Sequence, residues 1–225
     1  MKSLKILAFA FVGALSSASF ATIYNDSIND LGIGTQPHID IASVEVTNTS
    51  LSLKIKINLN GDPVATDWGK YMVAIDSAAG GDTSGNGWAR PISMSSGMDT
   101  WLAGWADGGN GLENRKYTGS WNLAGATYNS TPGLSVSKDS SSYTMNVLLA
   151  DIGVTLGSSF RFDVCTSGGG NGDGAVDALS NAGVQISNWG DQSNLGGLSY
   201  TTVVPEPGSL LALGLGLVAV LKRKK

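Results

Sequence analysis

Catalytic chemistry has few side chains to draw on in this 225-residue chain. His38 is the only histidine and Cys165 the only thiol, so a Ser-His-Asp relay, a Cys-His pair or a zinc cage must use one of them or do without. His38 opens an alternating apolar stretch, where a structural or solvated imidazole is expected. Cys165 alternates out of phase with Phe160, Phe162 and Val164, and a lone cysteine of that kind packs as an inert small hydrophobe. Two-carboxylate glycoside hydrolysis needs a proton-donating acid of raised pKa. Residues 22–204 hold only two glutamates, Glu45 and Glu113, among fifteen aspartates that mostly sit beside Gly, Asn or Ser in turn-like runs. No catalytic pair emerges, and the chain is expected not to be an enzyme.

Hard oxygen ligands are better supplied. Asn171-Gly172-Asp173-Gly174-Ala175-Val176-Asp177 places oxygens two residues apart, as part of a calcium loop does. It fails the EF-hand spacing, because the first and twelfth positions would be Gly169 and Ser180. A second group, Asp26, Asp30 and Asp40, is expected to meet Asp76 or Asp82 across a sheet. The candidate ligands of a structural calcium are therefore Asp26, Asp76, Asn171, Asp173 and Asp177, against the alternative of plain Gly-Asp-Asn turns. Aromatic side chains are the other resource. Trp68, Trp88, Trp105, Tyr117 and Trp189 are candidates for a carbohydrate-binding face, with packing inside the fold as the alternative for any one of them. Trp101 and Trp105 lie four apart and so share a strand face, which makes one of them a candidate core residue.

Charge is divided unevenly along the chain. Of 14 basic residues, six lie in the first five and last four positions, so residues 22–204 carry 8 basic against 17 acidic side chains, a net of about −9. A body that acidic repels phosphate, which excludes nucleic acid as a partner. One cysteine also excludes an intramolecular disulfide.

The basic ends flank the two most apolar runs. Residues 1–21 have a basic start (Lys2, Lys5), an apolar stretch from Ile6 to Leu15 and a small-residue finish, the layout of a signal peptide cut by signal peptidase. At the other end come Pro205-Glu206-Pro207, an apolar run over residues 208–221, and Lys222-Arg223-Lys224-Lys225. The two prolines break any strand or helix, and the basic tetrad stays cytoplasmic by the positive-inside rule. A run of about 14 residues makes a helix of roughly 21 Å, short for a full span, so any hold on the inner membrane is expected to be transient.

This order of motif, short hydrophobic helix and terminal basic cluster, paired with a signal peptide, resembles the PEP-CTERM sorting domain of Gram-negative bacteria. The resemblance covers residues 205–225. It implies recognition by an exosortase, a membrane cysteine protease that cleaves near Pro205, Glu206 and Pro207 and releases the protein to the cell surface or the exopolysaccharide matrix.

Between the ends, residues 22–204 read as one all-β domain. Leu51, Leu53, Ile55, Ile57 and Leu59 alternate with polar residues for nine positions, and Ile39, Ile41, Val44 and Val46 precede them with a phase slip at Ala42-Ser43 that a bulge absorbs. Thr47-Asn48-Thr49-Ser50 supplies the turn of a hairpin. Further strands are expected at 70–76, 88–93, 100–106, 115–122, 142–149, 158–166 and 198–203, and a single helical turn near 147–153. Glycine supplies 27 of these 183 residues, about double the ordinary ~7%, and concentrates in the loops. About nine strands at this spacing predict a single antiparallel β-sandwich of jelly-roll type, flanked by the signal helix and the short C-terminal helix. Tyr24-Asn25-Asp26-Ser27-Ile28-Asn29-Asp30, the strand pair ending in Leu51–Leu59 and Asp67-Trp68-Gly69-Lys70-Tyr71-Met72-Val73-Ala74-Ile75-Asp76 are together similar to the start of exported sandwiches related to DOMON and family 9 carbohydrate-binding modules. That similarity implies a structural calcium and a glycan or small-ligand face. The expected role is an exported, non-catalytic binding protein for extracellular polysaccharide. A structural matrix protein without a ligand and a carbohydrate-active enzyme are the alternatives.

Overall fold

The computed structural model describes residues 21–204. The expected signal peptide, Ala21 apart, and the sorting segment 205–225 with its hydrophobic helix lie outside the described residues. Alternation builds the first sheet. Ile41, Val44, Val46, Leu53, Ile55 and Ile57 are buried on one face of the hairpin β2 (Ile41–Asn48) and β3 (Ser52–Leu59), with serines, lysines and asparagines on the other. The phase slip is a β-bulge: Ile41 faces Leu59, and pairing resumes with Ser43 opposite Asn58. Thr49 closes the turn, its Oγ1 accepting from the Leu51 and Ser52 amides at 3.2 and 3.0 Å. With β1 (Thr22–Asn25), β9 (Ser135–Asp139) and β10 (Ser142–Leu148), these strands form an antiparallel sheet in the order β1-β2-β3-β10-β9.

The second sheet contains β4 (Lys70–Asp76), β6 (Thr100–Trp105), β7 (Gly111–Tyr117), β8 (Trp121–Ala126), β11 (Ser159–Ser167), β12 (Asp177–Ala178) and β14 (Leu198–Thr201). Its order is β12-β11-β4-β6-β7-β8, with β14 also paired to β11. The sheets pack face to face over a core of Ile41, Leu53, Ile55, Ile57, Tyr71, Val73, Ile75, Leu102, Phe162 and Val164. Each large side chain removed from water there contributes about 1.5–3 kcal/mol. Tyr71 and Tyr143 stack across the interface at 4.3 Å, and their hydroxyls donate to the carbonyls of His38 (2.8 Å) and Gly111 (2.7 Å), so two buried polar tips are satisfied.

The second sheet has no wet face at its centre. Tyr71-Met72-Val73-Ala74-Ile75 is buried throughout, because its outer face carries a second apolar layer. Met72, Ala74, Trp101, Ala103 and Cys165 project into this layer from the sheet, and Ile92, Met94, Met98, Ala175, Ala178 and Leu195 cover them from the connecting segments. A short parallel pair, β5 (Ile92–Met94) with β13 (Ser193–Leu195), pins those segments together. The glycine-rich connections are therefore the lid of the sheet. Cys165 lies opposite Phe162 and Val164, as alternation predicts, and complete burial holds its thiol well above the usual range.

Three strand expectations differ from the structure. The 88–93 segment is extended only from Ile92, because Asn86 Nδ2 donates to the carbonyls of Arg90 and Ile92 and Ala89 turns left-handed (φ 53°). The 115–122 strand is two strands, broken where Thr118 N bonds Ser120 O around Gly119 at φ 88°. The last strand ends at Thr201. The single turn expected near 147–153 is the 3-10 turn Leu149–Ile152. Among the described residues no helix is long and apolar enough to cross a membrane.

Candidate functional site

Two places combine chemistry with geometry. The first is an open cleft of about 640 Å³ lined by Lys70, Gly87, Trp88, Ala89, Arg90, Trp105, Arg115 and Asn171. It sits where β4, β6 and β7 end under the 85–91 loop. Trp105 stands on the same sheet face as Trp101. Trp101 is buried core, while Trp105, at the strand end, is half-exposed. The Trp88 and Trp105 rings lie 6.3 Å apart, and the exposed Tyr128 ring stands 6.3 Å beyond Trp105. The Arg90 guanidinium lies 5.5 Å over Trp88.

Glu113 organises this cleft. Its Oε2 accepts from Trp88 Nε1 and Arg115 Nε, both at 2.8 Å, and its Oε1 accepts from the Tyr128 hydroxyl at 2.8 Å. Burial raises the Glu113 carboxyl, but Arg115, Trp88 and Tyr128 together outweigh burial and hold it below its ordinary value. Lys70 pairs with Asp107 at 3.1 Å. Arg90 is buried and donates to Ser167 Oγ (2.8 Å) and the Asp173 carbonyl (3.2 Å), and forms no ion pair among the described residues.

The second place is a set of three aspartates to which a fourth is coupled by charge. Ligand atoms of Asp30, Asp40 and Asp177 all lie within 4.8 Å of one another. Asp26 adds its charge to the same set, raising the pKa of Asp177 and being raised by Asp30 and Asp40. Burial first, and then this mutual repulsion, pushes Asp26 up to about 7 and Asp177 up to about 8. Local structure fixes one oxygen of three members. Asp26 Oδ1 accepts from Ser27 N at 2.8 Å, Asp40 Oδ2 from Asn29 N and Asn60 Nδ2 at 2.9 Å, and Asp177 Oδ2 from Ile41 N at 2.6 Å. The remaining oxygens, Asp26 Oδ2, Asp40 Oδ1, Asp177 Oδ1 and both of Asp30, are buried without a donor.

The candidates read from the sequence are thus redistributed. Of the five aromatic candidates, Trp88 and Trp105 share the cleft. Trp68 packs edge-on against His38 (4.2 Å) and near Trp189 (6.0 Å), while Tyr117 pairs with Trp121 at 5.5 Å. Of the five calcium candidates, Asp177 belongs to the aspartate set and Asp26 couples to it through charge. Asp76 does not join them, since it stands on β4 in register with Arg161 on β11. Asn171 lines the cleft instead. Asp173 closes its own turn by accepting from Gly170 N at 2.8 Å, and Asp82 accepts from Trp121 Nε1, also at 2.8 Å. His38 is buried in the turn Pro37–Ile39, where desolvation lowers its pKa. Arg90, Arg115, Lys70, Glu113 and Tyr128 were not singled out by their spacing. The available signal was that three of only eight basic residues in 22–204 converge here.

The described body is thus an all-β sandwich with an open cleft. Residues 203–225 match the family model of the PEP-CTERM protein-sorting motif. The chain therefore carries that motif, the mark of an exosortase substrate exported in Gram-negative bacteria through a membrane-anchored precursor. Comparison with curated proteins and with solved structures gives no match for the chain.

Proposed function

We propose that the sorted protein is a non-catalytic binding module that holds extracellular polysaccharide in the Trp88–Trp105 cleft, at the cell surface or in the matrix. The observation that carries this reading is the pairing of two half-exposed tryptophan faces with three cations, Lys70, Arg90 and Arg115, on a body that is otherwise acidic. Sugar rings stack on flat aromatic faces through their C–H edges, and guanidinium groups pair with carboxylates, so the favoured ligand is a glycan bearing acidic sugars. Arg90 supports this most directly, since it forms no ion pair among the described residues. Glu113 supports a binding role over hydrolysis: both its oxygens are committed to donors, and its pKa is held low where a catalytic acid needs it high.

The test is titration of the purified protein with a uronate-containing polysaccharide and with a neutral glucan, followed by tryptophan fluorescence. A saturable shift is expected with the acidic polymer. Arg90→Gln should weaken it about tenfold, the loss of roughly one charge-assisted contact. No shift with either polymer would favour a structural matrix protein without a ligand, and release of reducing ends would favour an enzyme.

A further inference from the structure

The fold shows in one place how it keeps an aspartate inside, and in another it withholds that treatment. Asp163 is fully buried, and both its oxygens have donors: Val164 N and Ser180 N on Oδ1, Ser180 Oγ and Gly197 N on Oδ2. Asp40 and Asp177 are as deeply buried, at 2% and 1% exposure, yet each leaves an oxygen with no donor, and those of Asp26 and Asp30 are in the same condition. Carboxylate oxygens buried with no donor to meet them cost several donors' worth of solvation, which a native structure tolerates only for a reason.

We infer that Asp30, Asp40 and Asp177 are the protein ligands of one calcium ion that fastens the segment before β2 to the second sheet. Their four donor-less oxygens supply more than half of calcium's six to eight ligands, with Asp30 able to bind through both of its own and water completing the shell. Oxygens about 2.4 Å from a common ion stand at most about 4.8 Å apart, the spread that Asp30, Asp40 and Asp177 keep. Magnesium is the poorer fit, because it retains several waters and takes one or two carboxylates. The ligands come from distant parts of the chain: Asp30 and Asp40 from the irregular stretch between β1 and β2, and Asp177 from β12. A pocket of about 130 Å³, lined by Asn29, Leu31, Gly34, Thr35, Gln36 and Asp40, offers a way in for the ion. Its function would be to complete the domain after export, where calcium is plentiful enough for sites of modest affinity. This inference is independent of the glycan cleft.

Calorimetric titration of the chelator-treated full-length chain in detergent, with calcium chloride and separately with magnesium chloride, tests it. One calcium per chain is expected, with magnesium at least tenfold weaker. At calcium about 100-fold above Kd, the melting temperature should rise by roughly 5–10 °C. Asp30→Asn and Asp177→Asn should each weaken calcium at least tenfold while raising the metal-free melting temperature, because each removes a repelling charge and keeps an acceptor. A merely structural aspartate would lower it. Asp173→Asn should bind as the parent does. Absence of calcium heat, equal affinity for magnesium, or an Asp30→Asn variant that binds normally would each overturn the assignment.

Discussion

Glu113 shows how one ionised side chain can organise the lining of a cleft. The body has only two glutamates, and this one ties the edges of Trp88 and Tyr128 to Arg115, so both rings are oriented through its charge. Its pKa lies below the ordinary 4.5, so the stability it contributes is complete above that value and is lost as pH falls through the lower folded value. Acidification through that lowered value should therefore loosen the cleft and weaken the proposed glycan binding. Glu113→Gln should lack this acid limb, because the position no longer titrates. At neutral pH the same variant should cost about 1–3 kcal/mol and reduce affinity roughly tenfold, since an amide must now face three donors. Thermal melts and binding curves of parent and variant from pH 3 to 7 check both. Identical acid limbs would show that Glu113 does not set the response.

At the level of elements, the cleft exists because β7 begins on a glycine. A Cβ at Gly111 would stand 2.0 Å from Trp105 Cζ2, so the indole lies flat over bare backbone. Gly111→Val should push the ring out of place, costing about 1–3 kcal/mol and most of the glycan affinity. Near-ultraviolet circular dichroism and melting temperature report the change, and Gly172→Ala, where an added Cβ meets nothing within 4 Å, is the control expected to be silent. Elements of this kind were unequally readable. The hairpin over 41–59, bulge included, was legible because one buried face imposes a period of two and any slip shows as a break in it. The β7–β8 turn was missed because Arg115 to Asn122 carries little apolar signal, and only Gly119 marks the reversal. The aspartate set was half legible. Asp26, Asp30 and Asp40 are close in sequence, but Asp177 joins them only because β12 lies beside β11, a pairing that no local pattern announces. Residues 171–177 drew notice for their spacing, yet only Asp177 faces the set, because Asp173 spends its carboxylate on its own turn.

For the whole molecule, the division of charge carries the argument. Six of the 14 basic residues lie at the ends, and three of the remaining eight converge on one cleft, so the acidic body keeps its cationic groups concentrated. The folded body runs to the edge of the sorting segment. Thr202 is buried, and Asn48 grips the next residue with Nδ2 on the Val203 carbonyl (2.9 Å) and Oδ1 on its amide (2.8 Å). The matched motif begins at Val203, so its first residue is still hydrogen-bonded to β2. In sequence, Pro205-Glu206-Pro207 follows this hydrogen-bonded residue after Val204 alone. Replacing Pro205, Glu206 and Pro207 with alanine should leave full-length precursor in the membrane fraction and none in the medium, because the tail keeps its apolar run and basic anchor but loses the motif. Inserting a ten-residue Gly-Ser linker after Val204 should leave processing intact or faster, since it gives the motif more reach without altering it. Fractionation with immunoblotting of the parent and both variants measures this. Normal release of the alanine variant would show that the motif does not direct sorting, and blocked release of the linker variant would show that the body itself forms part of what the protease reads.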